Sequence, residues 1–256
     1  MPGAGSNDPG GSLRRLYESP DTPLSSGSDR ARLQAEMLAA IASELRRPLL
    51  VIDVGCGDGA ATHVASRVCD EWRRRDDANL GPVSFVGIDW SRLALEQARR
   101  RGITVLRGSI EGPGLPFPDK TADVVVMSEL IEHLVDPDEA LAEARRVLAP
   151  GGTLLLSTPN LAAWFNRALL LFGVQPVFSE VSLRGIYGRP GSQVVGHLRL
   201  FTRRALAELL VARGFSDVKI SGAPYHDVPR LFRPLDRLLC RTPGLSSILL
   251  ASARRG

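Results

Sequence analysis

A chain of 256 residues is long enough to bury a substantial core, and 44% hydrophobic with 23% charged residues excludes a wholly disordered or fibrous protein. The formal net charge is only +4, and almost all of the positive charge is arginine, since lysine occurs only at Lys120 and Lys219. Arginine suits planar anions such as phosphate and carboxylate, so both an anionic substrate and a solvated arginine-rich surface stay open. This weak charge does not require nucleic acid, which we do not expect as a partner.

The cysteines and the first residues bear on the cellular compartment. Cys56, Cys69 and Cys240 show no CxxC spacing and no even disulfide framework, which favours a reducing environment. The N-terminal residues contain no apolar run typical of a secretory signal. No stretch approaches the roughly 20 apolar residues that a membrane-spanning helix needs. We therefore expect a cytoplasmic protein that at most contacts a membrane surface.

The chain is predicted to begin with a disordered tail over residues 1–29, because Gly, Pro, Ser and Asp dominate there without periodicity. One folded domain is then predicted over residues 30–256. Its first helix is expected over 29–47 and ends before Pro48. The apolar residues at helical spacing, which predict its buried face, are Leu33, Met37, Ala40, Ile41 and Leu45.

Strands and helices then alternate. The run LLVIDV at 49–54 is short, apolar and closed by glycines, which is typical of a strand buried on both faces of a parallel sheet. Further strands are predicted at 84–88, 103–107, 124–127 and 153–157, with helices at 59–69, 91–101 and 137–148. Such strand–helix units predict an α/β, doubly wound, mostly parallel sheet with helices on both faces.

This alternation stops between residues 159 and 200. The segment carries Trp164, Phe165, an apolar run at 168–172 and Tyr187 among glycines and prolines. Insertions after the carboxyl end of a strand commonly overhang the ligand crevice, so residues 159–200 are predicted to form a cap or lid after the fifth strand.

Regular structure resumes after the cap with a helix at 202–213 and strands at 217–221 and 247–251, the last expected as an antiparallel edge strand. These complete a seven-stranded sheet. The segment 230–240 is amphipathic and basic. Leu231, Leu235, Leu238 and Leu239 share one side of it. That side is expected to contact an anionic membrane surface, the sheet or a second copy of the chain.

A glycine-rich loop follows the first strand in the segment IDVGCGDG. Gly55 and Gly57 permit a tight turn and close approach of a ligand to the backbone, and the following helix offers free N–H groups to an anion. The spacing also satisfies the pattern of nucleotide enzymes, so the loop alone is ambiguous. Asp53 stands where a carboxylate holds an ammonium group. Asp89 ends the second strand, where it either binds ribose hydroxyls or caps the next helix, a role for which Ser91 is the better candidate.

Four blocks in order resemble the motifs of class I S-adenosylmethionine-dependent methyltransferases: IDVGCGDG, VGIDWS, LPFPDKTADVVVMSELIEHLVDP and EARRVLAPGGTLLLSTPN. The resemblance covers residues 49–221 and implies a Rossmann-like fold and S-adenosylmethionine as methyl donor. It implies that one group of residues contacts the methionine part, the ribose and the adenine of S-adenosylmethionine. These residues are Asp53, Gly55, Cys56, Gly57, Asp89, Trp90, Ser109, Ile110 and Ser128. Ser109 stands where many relatives carry an acidic residue.

The segment SELIEHL places Glu129, Glu132 and His133 at positions i, i+3 and i+4, which share a face if the segment is helical. With His197 it resembles the E-x-x-E-H segment and later histidine of ubiquinone-pathway O-methyltransferases and small-RNA 2′-O-methyltransferases. That resemblance implies a divalent cation such as Mg²⁺ bound by these four residues. His133 and His197 are also the candidate catalytic residues. The alternative is a solvated helix face with a packed histidine.

Three functions remain open on the sequence. The first is O-methylation of a small-molecule, glycan or lipid-linked hydroxyl, which the apolar cap favours. The second is RNA 2′-O-methylation, for which no RNA-binding module is visible. The third is binding of S-adenosylmethionine without catalysis. A homodimer is a further expectation.

Overall fold

The computed structural model describes residues 29–75, 81–191, 194–225 and 228–256. The predicted tail lies outside the described residues except for Asp29, which begins the first helix instead of ending the tail. Within the described ranges, no helix is long and apolar enough to cross a membrane.

Seven strands form one sheet in the order β3-β2-β1-β4-β5-β7-β6. Their bounds are β1 Leu49–Val54, β2 Val83–Asp89, β3 Thr104–Arg107, β4 Ala122–Ser128, β5 Leu148–Pro159, β6 Phe215–Ala223 and β7 Ile248–Arg255. All neighbouring pairs among β1 to β5 are parallel, and β7 is antiparallel to both of its neighbours. The α/β, doubly wound, mostly parallel architecture is therefore confirmed.

The position of β7 corrects one expectation. β7 is antiparallel as predicted, but it is inserted between β5 and β6 and is not an edge strand. Its backbone groups pair on both sides, and its residues from Ile248 to Ala251 are buried. An apolar strand of this kind is stabilised by neighbours on both sides, so the more exposed β6 takes the edge.

The helices are α1 Asp29–Leu45, α2 Ala60–Arg75, α3 Arg92–Arg100, α4 Pro137–Val147, α5 Trp164–Leu171, α6 Arg203–Ala212 and α7 Arg233–Leu239. α2 continues six residues beyond the predicted end at residue 69. The extension ends in three arginines, and cations at a helix C-terminus interact favourably with its dipole. Within it the half-buried Trp72 packs against the core three residues after Cys69, so the apolar spacing of the helix continues beyond the predicted end.

The burial of α1 differs from the prediction. Its predicted apolar face is only half-buried, and Leu45 is exposed. The buried face consists of Arg30, Ala31, Gln34, Ala35, Leu38, Ala39 and Ala42. The alanines on this face let the helix approach closely, which brings the two polar side chains onto the sheet at its carboxyl edge.

The segment predicted as a cap leaves and rejoins the domain at one point, where Asn160 and Phe201 form a parallel bridge. Between them lie α5 and a long irregular stretch. The side chain of the buried Asn160 donates to the carbonyl of Ser246 at 2.7 Å and thereby ties the base of the insertion to the residues before β7. Closure of this segment over a ligand stays a prediction.

The glycine loop between β1 and α2 is held against β2. The N–H groups of Gly55 and Cys56 donate to the carbonyl of Ile88 at 2.8 and 3.0 Å. The Cys56 side chain fills the space over Gly87, where an added Cβ would lie 2.7 Å from Cys56 Sγ. Burial raises the pKa of the Cys56 thiol, so this cysteine is a packing residue with little thiolate character.

Because a methyl group at position 87 would meet the cysteine sulfur, Gly87→Ala should lower the free energy of unfolding by ~1–3 kcal/mol, as overpacking does. Adding Cys56→Ala should recover part of that loss. Urea denaturation measures both, and Gly244→Ala is the matched control because nothing lies within 4 Å of its added Cβ. Strictly additive losses in the double variant would show that the two side chains do not compete for one space.

Candidate functional site

The site lies where the carboxyl ends of β1, β2 and β4 meet. β1 pairs with β2 on one side and with β4 on the other, so the chain order reverses at this point. Open α/β sheets bind ligands in the crevice at such a switch. The ends of these strands carry Asp53, Asp89 and Ser128, and the sequence predicted all three as ligand-binding residues.

Asp53 is a buried carboxylate with one unsatisfied oxygen. Its Oδ2 accepts a hydrogen bond from Thr62 Oγ1 at 2.5 Å, whereas Oδ1 is buried and accepts none from the described residues. Burial raises the pKa of Asp53 to about 6, and the nearby charge of Asp89 adds to the effect. A cationic ligand group at Oδ1 would compensate this buried charge.

Asp89 links the end of β2 to the glycine loop. Its Oδ2 accepts from the Gly57 N–H at 2.9 Å and its Oδ1 from the Ser91 N–H at 2.8 Å. Burial raises its pKa, and these backbone donors oppose the rise. Ser91 caps α3 by accepting from the Ala94 N–H, so the helix does not need Asp89 as its cap. Each carboxylate oxygen retains acceptor capacity for a hydroxyl group.

The remaining predicted cofactor residues surround these carboxylates. Gly57 adopts a φ of 54°, and a Cβ there would meet nothing within 4 Å, so the loop backbone is accessible on that side. The Ser128 hydroxyl donates to Gln34 Oε1 at 2.7 Å. Ser109 and Ile110 follow β3, and Gly108 is tied to the carbonyl of Asp89. The contacts expected from Trp90, Ser109, Ile110 and Ser128 stay predictions.

These features fit S-adenosylmethionine. The unsatisfied oxygen of Asp53 matches an ammonium group, and the two oxygens of Asp89 match a pair of ribose hydroxyls. Between them runs the backbone of the glycine loop, which has no side chain at Gly57 to obstruct a ligand. Asp53, the glycine loop and Asp89 therefore follow one another in the same order as the amino acid and nucleoside parts of S-adenosylmethionine.

The segment after β4 does not form the expected helix. Glu129 has a left-handed φ of 51°, and only Ile131–His133 form a single 3₁₀ turn. The Glu129 N–H donates to the carbonyl of Ser157 at 3.0 Å, which keeps this residue beside β5 and prevents a helical start. The premise that Glu129, Glu132 and His133 share a helix face is therefore wrong.

Tertiary packing nevertheless brings three of the four predicted metal ligands together. One ligand atom from each of Glu132, His133 and His197 lies within 4.8 Å of the others. Glu132 Oε1 is 3.9 Å from His133 Nε2, and the two imidazole centroids are 4.8 Å apart. Glu129 is not in this group, although its charge contributes to raising the pKa of Glu132.

Hydrogen bonds orient both imidazole rings. His133 Nδ1 lies 3.0 Å from the carbonyl oxygen of Gly196, and His197 Nδ1 lies 2.9 Å from that of Phe178. A carbonyl only accepts, so each Nδ1 carries the proton and the lone pair of the neutral ring is on Nε2. Backbone carbonyls orient metal-binding histidines in this way.

The electrostatics favour neutral histidines beside an unsatisfied carboxylate. Burial, with the neighbouring His197, lowers the pKa of His133 to about 3, and burial also lowers the pKa of His197. Burial raises the pKa of Glu132 well above its ordinary value, although Thr158 Oγ1 donates to its Oε2 at 3.0 Å. Its Oε1 accepts no hydrogen bond within the described part of the chain. A histidine of such low pKa is a weak general base, whereas a neutral imidazole is the form that binds metals.

Sequence reasoning missed two polar residues of α1. Arg30 Nη1 donates to Ser157 Oγ at 3.1 Å and lies 4.0 Å from Glu129 Oε1. Gln34 accepts from Ser128 and lines a small cavity with Asp53. They escape the prediction because it centres the buried face of α1 on the neighbouring apolar residues, which are only half-buried. Two polar residues four apart among alanines were the available signal.

Sequence reasoning also missed Glu180, the only acidic residue between 159 and 191. Its buried carboxylate accepts from three consecutive N–H groups, those of Val195, Gly196 and His197, at 2.7 to 3.1 Å. Arg189 lies 3.4 Å away as its counter-charge. Glu180 thereby holds the loop that supplies His197 and the carbonyl that orients His133.

Comparison with known proteins agrees with this geometry. A family model described as a methyltransferase domain matches residues 27–220. A probable S-adenosylmethionine-dependent methyltransferase of Mycolicibacterium smegmatis is 35% identical over 174 residues, which cover 66% of this chain and 62% of that protein. The ubiquinone biosynthesis O-methyltransferase of Proteus mirabilis is 28% identical over 51% of this chain and 50% of its own length. Other matched relatives have names that specify nitrogen or carbon methylation.

Among solved structures, a Thermotoga maritima S-adenosylmethionine-dependent methyltransferase, described as a possible histamine N-methyltransferase, superposes with a TM-score of 0.57. It shares 17% identity and covers 95% of this chain and all of its own, so the likeness concerns the fold. The matches to the two sequence relatives above span 50 to 62% of the length of those proteins. The chain belongs to the methyltransferase domain family, the class I S-adenosylmethionine-dependent methyltransferases.

Proposed function

We propose that this chain transfers a methyl group from S-adenosylmethionine to a hydroxyl oxygen of a small-molecule, glycan or lipid-linked acceptor, with a divalent cation bound by Glu132, His133 and His197. The observation that carries the proposal is the convergence of these three side chains beside the end of β4. The cofactor residues Asp53 and Asp89 lie at the ends of the neighbouring strands of the same sheet edge.

The methyl donor supplies a methyl group on a positively charged sulfur, which needs little activation, so the protein must mainly bind and align the two substrates. Asp53 would accept the ammonium of the methionine part on its unsatisfied Oδ1. Asp89 would accept the ribose hydroxyls while its bonds to Gly57 and Ser91 hold the carboxylate in place. Nitrogen or carbon acceptors would use the same methyl donor site. The preference for oxygen therefore depends on the proposed cation site at Glu132, His133 and His197.

An unactivated hydroxyl is a weak nucleophile, and the proposed cation would lower its pKa so that its proton passes to solvent. The oxygen would then take the methyl group as the carbon–sulfur bond breaks and S-adenosylhomocysteine leaves. The histidines are suited to binding this cation, because their Nδ1 protons are committed to backbone carbonyls and their pKa values are lowered. Two imidazole nitrogens and one carboxylate are a softer donor set than the all-oxygen shell that Mg²⁺ prefers. We therefore expect Mn²⁺ to bind more tightly than Mg²⁺.

Aromatic residues pack behind His197 within the domain. The Phe178 ring lies 6.4 Å from the His197 ring and 5.1 Å from that of Tyr225, and Phe165 packs on its other side at 5.8 Å. Phe178 is buried within the domain, so its ring does not offer a stacking surface to a nucleic acid base. This favours a small or lipid-linked acceptor over RNA.

Transfer to oxygen should be visible in the product. The protein is incubated with S-adenosylmethionine labelled with carbon-13 in the methyl group and with a panel of phenols, sugars and lipid-linked sugars. NMR distinguishes a methoxy carbon from methyl carbon on nitrogen or carbon. We expect the label in a methoxy group, and a label on nitrogen or carbon would refute the proposed acceptor while leaving methyl transfer intact.

Loss of the Glu132 carboxylate should weaken Mn²⁺ binding to the S-adenosylhomocysteine-loaded protein by at least about 100-fold, since loss of an outer-sphere partner alone costs 10–100-fold. Isothermal titration and Mn²⁺ electron paramagnetic resonance measure this for Glu132→Gln, with Glu96→Gln on α3 as the control. Equal Mn²⁺ affinity in both variants, with S-adenosylhomocysteine binding intact, would remove the cation from the proposal.

The raised pKa of Asp53 predicts a pH dependence of cofactor binding. Below pH 6 the carboxyl is protonated and must lose its proton to pair with an ammonium, so affinity for S-adenosylhomocysteine should rise about tenfold per pH unit up to about pH 6 and then level off. Asp53→Asn should bind more weakly and remove this slope, whereas the exposed Asp70→Asn should retain it. The same slope in Asp53→Asn would show that another group controls it.

A further inference from the structure

The segment that contains α7 exposes its apolar residues. From Pro229 to Leu238 every residue is exposed except Asp236. The side chain of Leu231 is 83% exposed and that of Leu238 57%. Packing of this side against the sheet, one of the expectations from the sequence, is therefore wrong.

Asp236 explains this orientation. Its buried carboxylate accepts from Trp164 Nε1 at 2.9 Å, from the Tyr225 N–H at 3.1 Å and from the Ser247 hydroxyl. These three donors attach α7 to the domain through its one acidic residue. The leucines on the remaining sides of the helix consequently face away from the core.

The end of α5 has a similar character. Leu171 is 85% exposed and Phe172 83% exposed, values that are unusual for large apolar side chains. Leu171 lies seven residues, or about two turns, after Trp164, so the two share one side of the helix. The Trp164 ring contacts the Phe232 ring at 6.1 Å, which joins α5 to the α7 segment. We name the apolar residues of the two segments the α5–α7 face: Leu170, Leu171, Phe172, Leu231, Phe232, Leu235 and Leu238.

The exposed charged residues of these two segments are arginines, and one of them, Arg237, pairs with the exposed Asp29 of α1 at 3.6 Å. Residues 159–191 and 228–245 contain two acidic residues, Glu180 and Asp236, and both are buried and hydrogen bonded. The exposed arginines in the same two segments are Arg167, Arg184, Arg230, Arg233, Arg237 and Arg241. Exposed leucines and phenylalanines among arginines match the acyl chains and anionic headgroups of a bilayer surface.

We propose that the α5–α7 face docks this protein onto the surface of an anionic lipid bilayer. Isolated exposed leucines are ordinary on soluble proteins, but here they occupy two contacting segments whose own exposed charged residues are all arginines. A second copy of the chain would bring the arginines of both faces together, and an RNA would leave the aliphatic side chains without a partner. The inference does not depend on whether the methyl acceptor is a lipid.

Cosedimentation of the whole protein with vesicles tests the proposal. We expect binding to vesicles of phosphatidylserine and phosphatidylcholine, weaker binding at high salt and little binding to phosphatidylcholine alone. Leu171→Gln and Leu231→Gln together should lower the partition coefficient by more than about tenfold, because each removes apolar surface from the bilayer. Arg230→Gln and Arg241→Gln should each lower it by about fivefold.

The controls lie on α3, beside β3 at the other edge of the sheet. Leu93 is 53% exposed there, and Arg99 and Arg100 are exposed. Leu93→Gln and the double variant Arg99→Gln/Arg100→Gln should leave vesicle binding unchanged, and S-adenosylhomocysteine affinity should be unchanged in all variants, which shows that they fold.

Four outcomes would overturn the proposal. The first is wild-type protein that stays in the supernatant with anionic vesicles. The second is an equal loss of binding in the α3 variants. The third is a dimer in sedimentation velocity that Leu171→Gln/Leu231→Gln dissociates while vesicle binding persists. The fourth is binding to RNA homopolymers in place of vesicles.

Discussion

A buried carboxylate oxygen is costly unless a donor satisfies it, and the architecture of this protein depends on how its buried carboxylates meet that requirement. Glu180 and Asp236 each accept several hydrogen bonds from groups distant in sequence. Each therefore serves as a fixed point to which loops are attached. Glu180 organises the loop at 195–197, and Asp236 attaches α7 to the domain.

Three other carboxylates each have one buried oxygen that is left unsatisfied. Asp53 Oδ1, Glu129 Oε1 and Glu132 Oε1 are buried and accept no hydrogen bond from the residues that the structure describes. All three belong to the carboxyl edge of the sheet or follow it directly. Where a protein retains such oxygens, a cationic ligand group can offset their desolvation. Asp53 and Glu132 thus have oxygens that suit a cationic ligand group, whereas Asp89 belongs to the site although both of its oxygens already accept hydrogen bonds from the backbone.

Compensation of a buried negative charge is needed both in the methyl donor site at Asp53 and in the proposed cation site at Glu132. An ammonium group would compensate Asp53, and a divalent cation would compensate Glu132 beside two neutral imidazoles. Arg30 lies between these two sites, where it donates to Ser157 and approaches Glu129. The charge of the site is therefore balanced partly by the chain itself and partly by what it binds.

Local sequence patterns determined the strands, the glycine loop and the carboxylates that follow β1 and β2, because these depend on apolar runs, glycine torsions and strand ends that are encoded within a few residues. Only the tertiary structure decided the conformation at Glu129, the face that α1 buries, the place of β7 between two strands and the outward direction of the α7 leucines. Each of these depends on a partner distant in sequence. Ser157 determines the course of Glu129, and Trp164, Tyr225 and Ser247 determine the orientation of α7. Hydrogen bonds between residues far apart in the chain leave no periodic signal, which is why local pattern alone could not predict them.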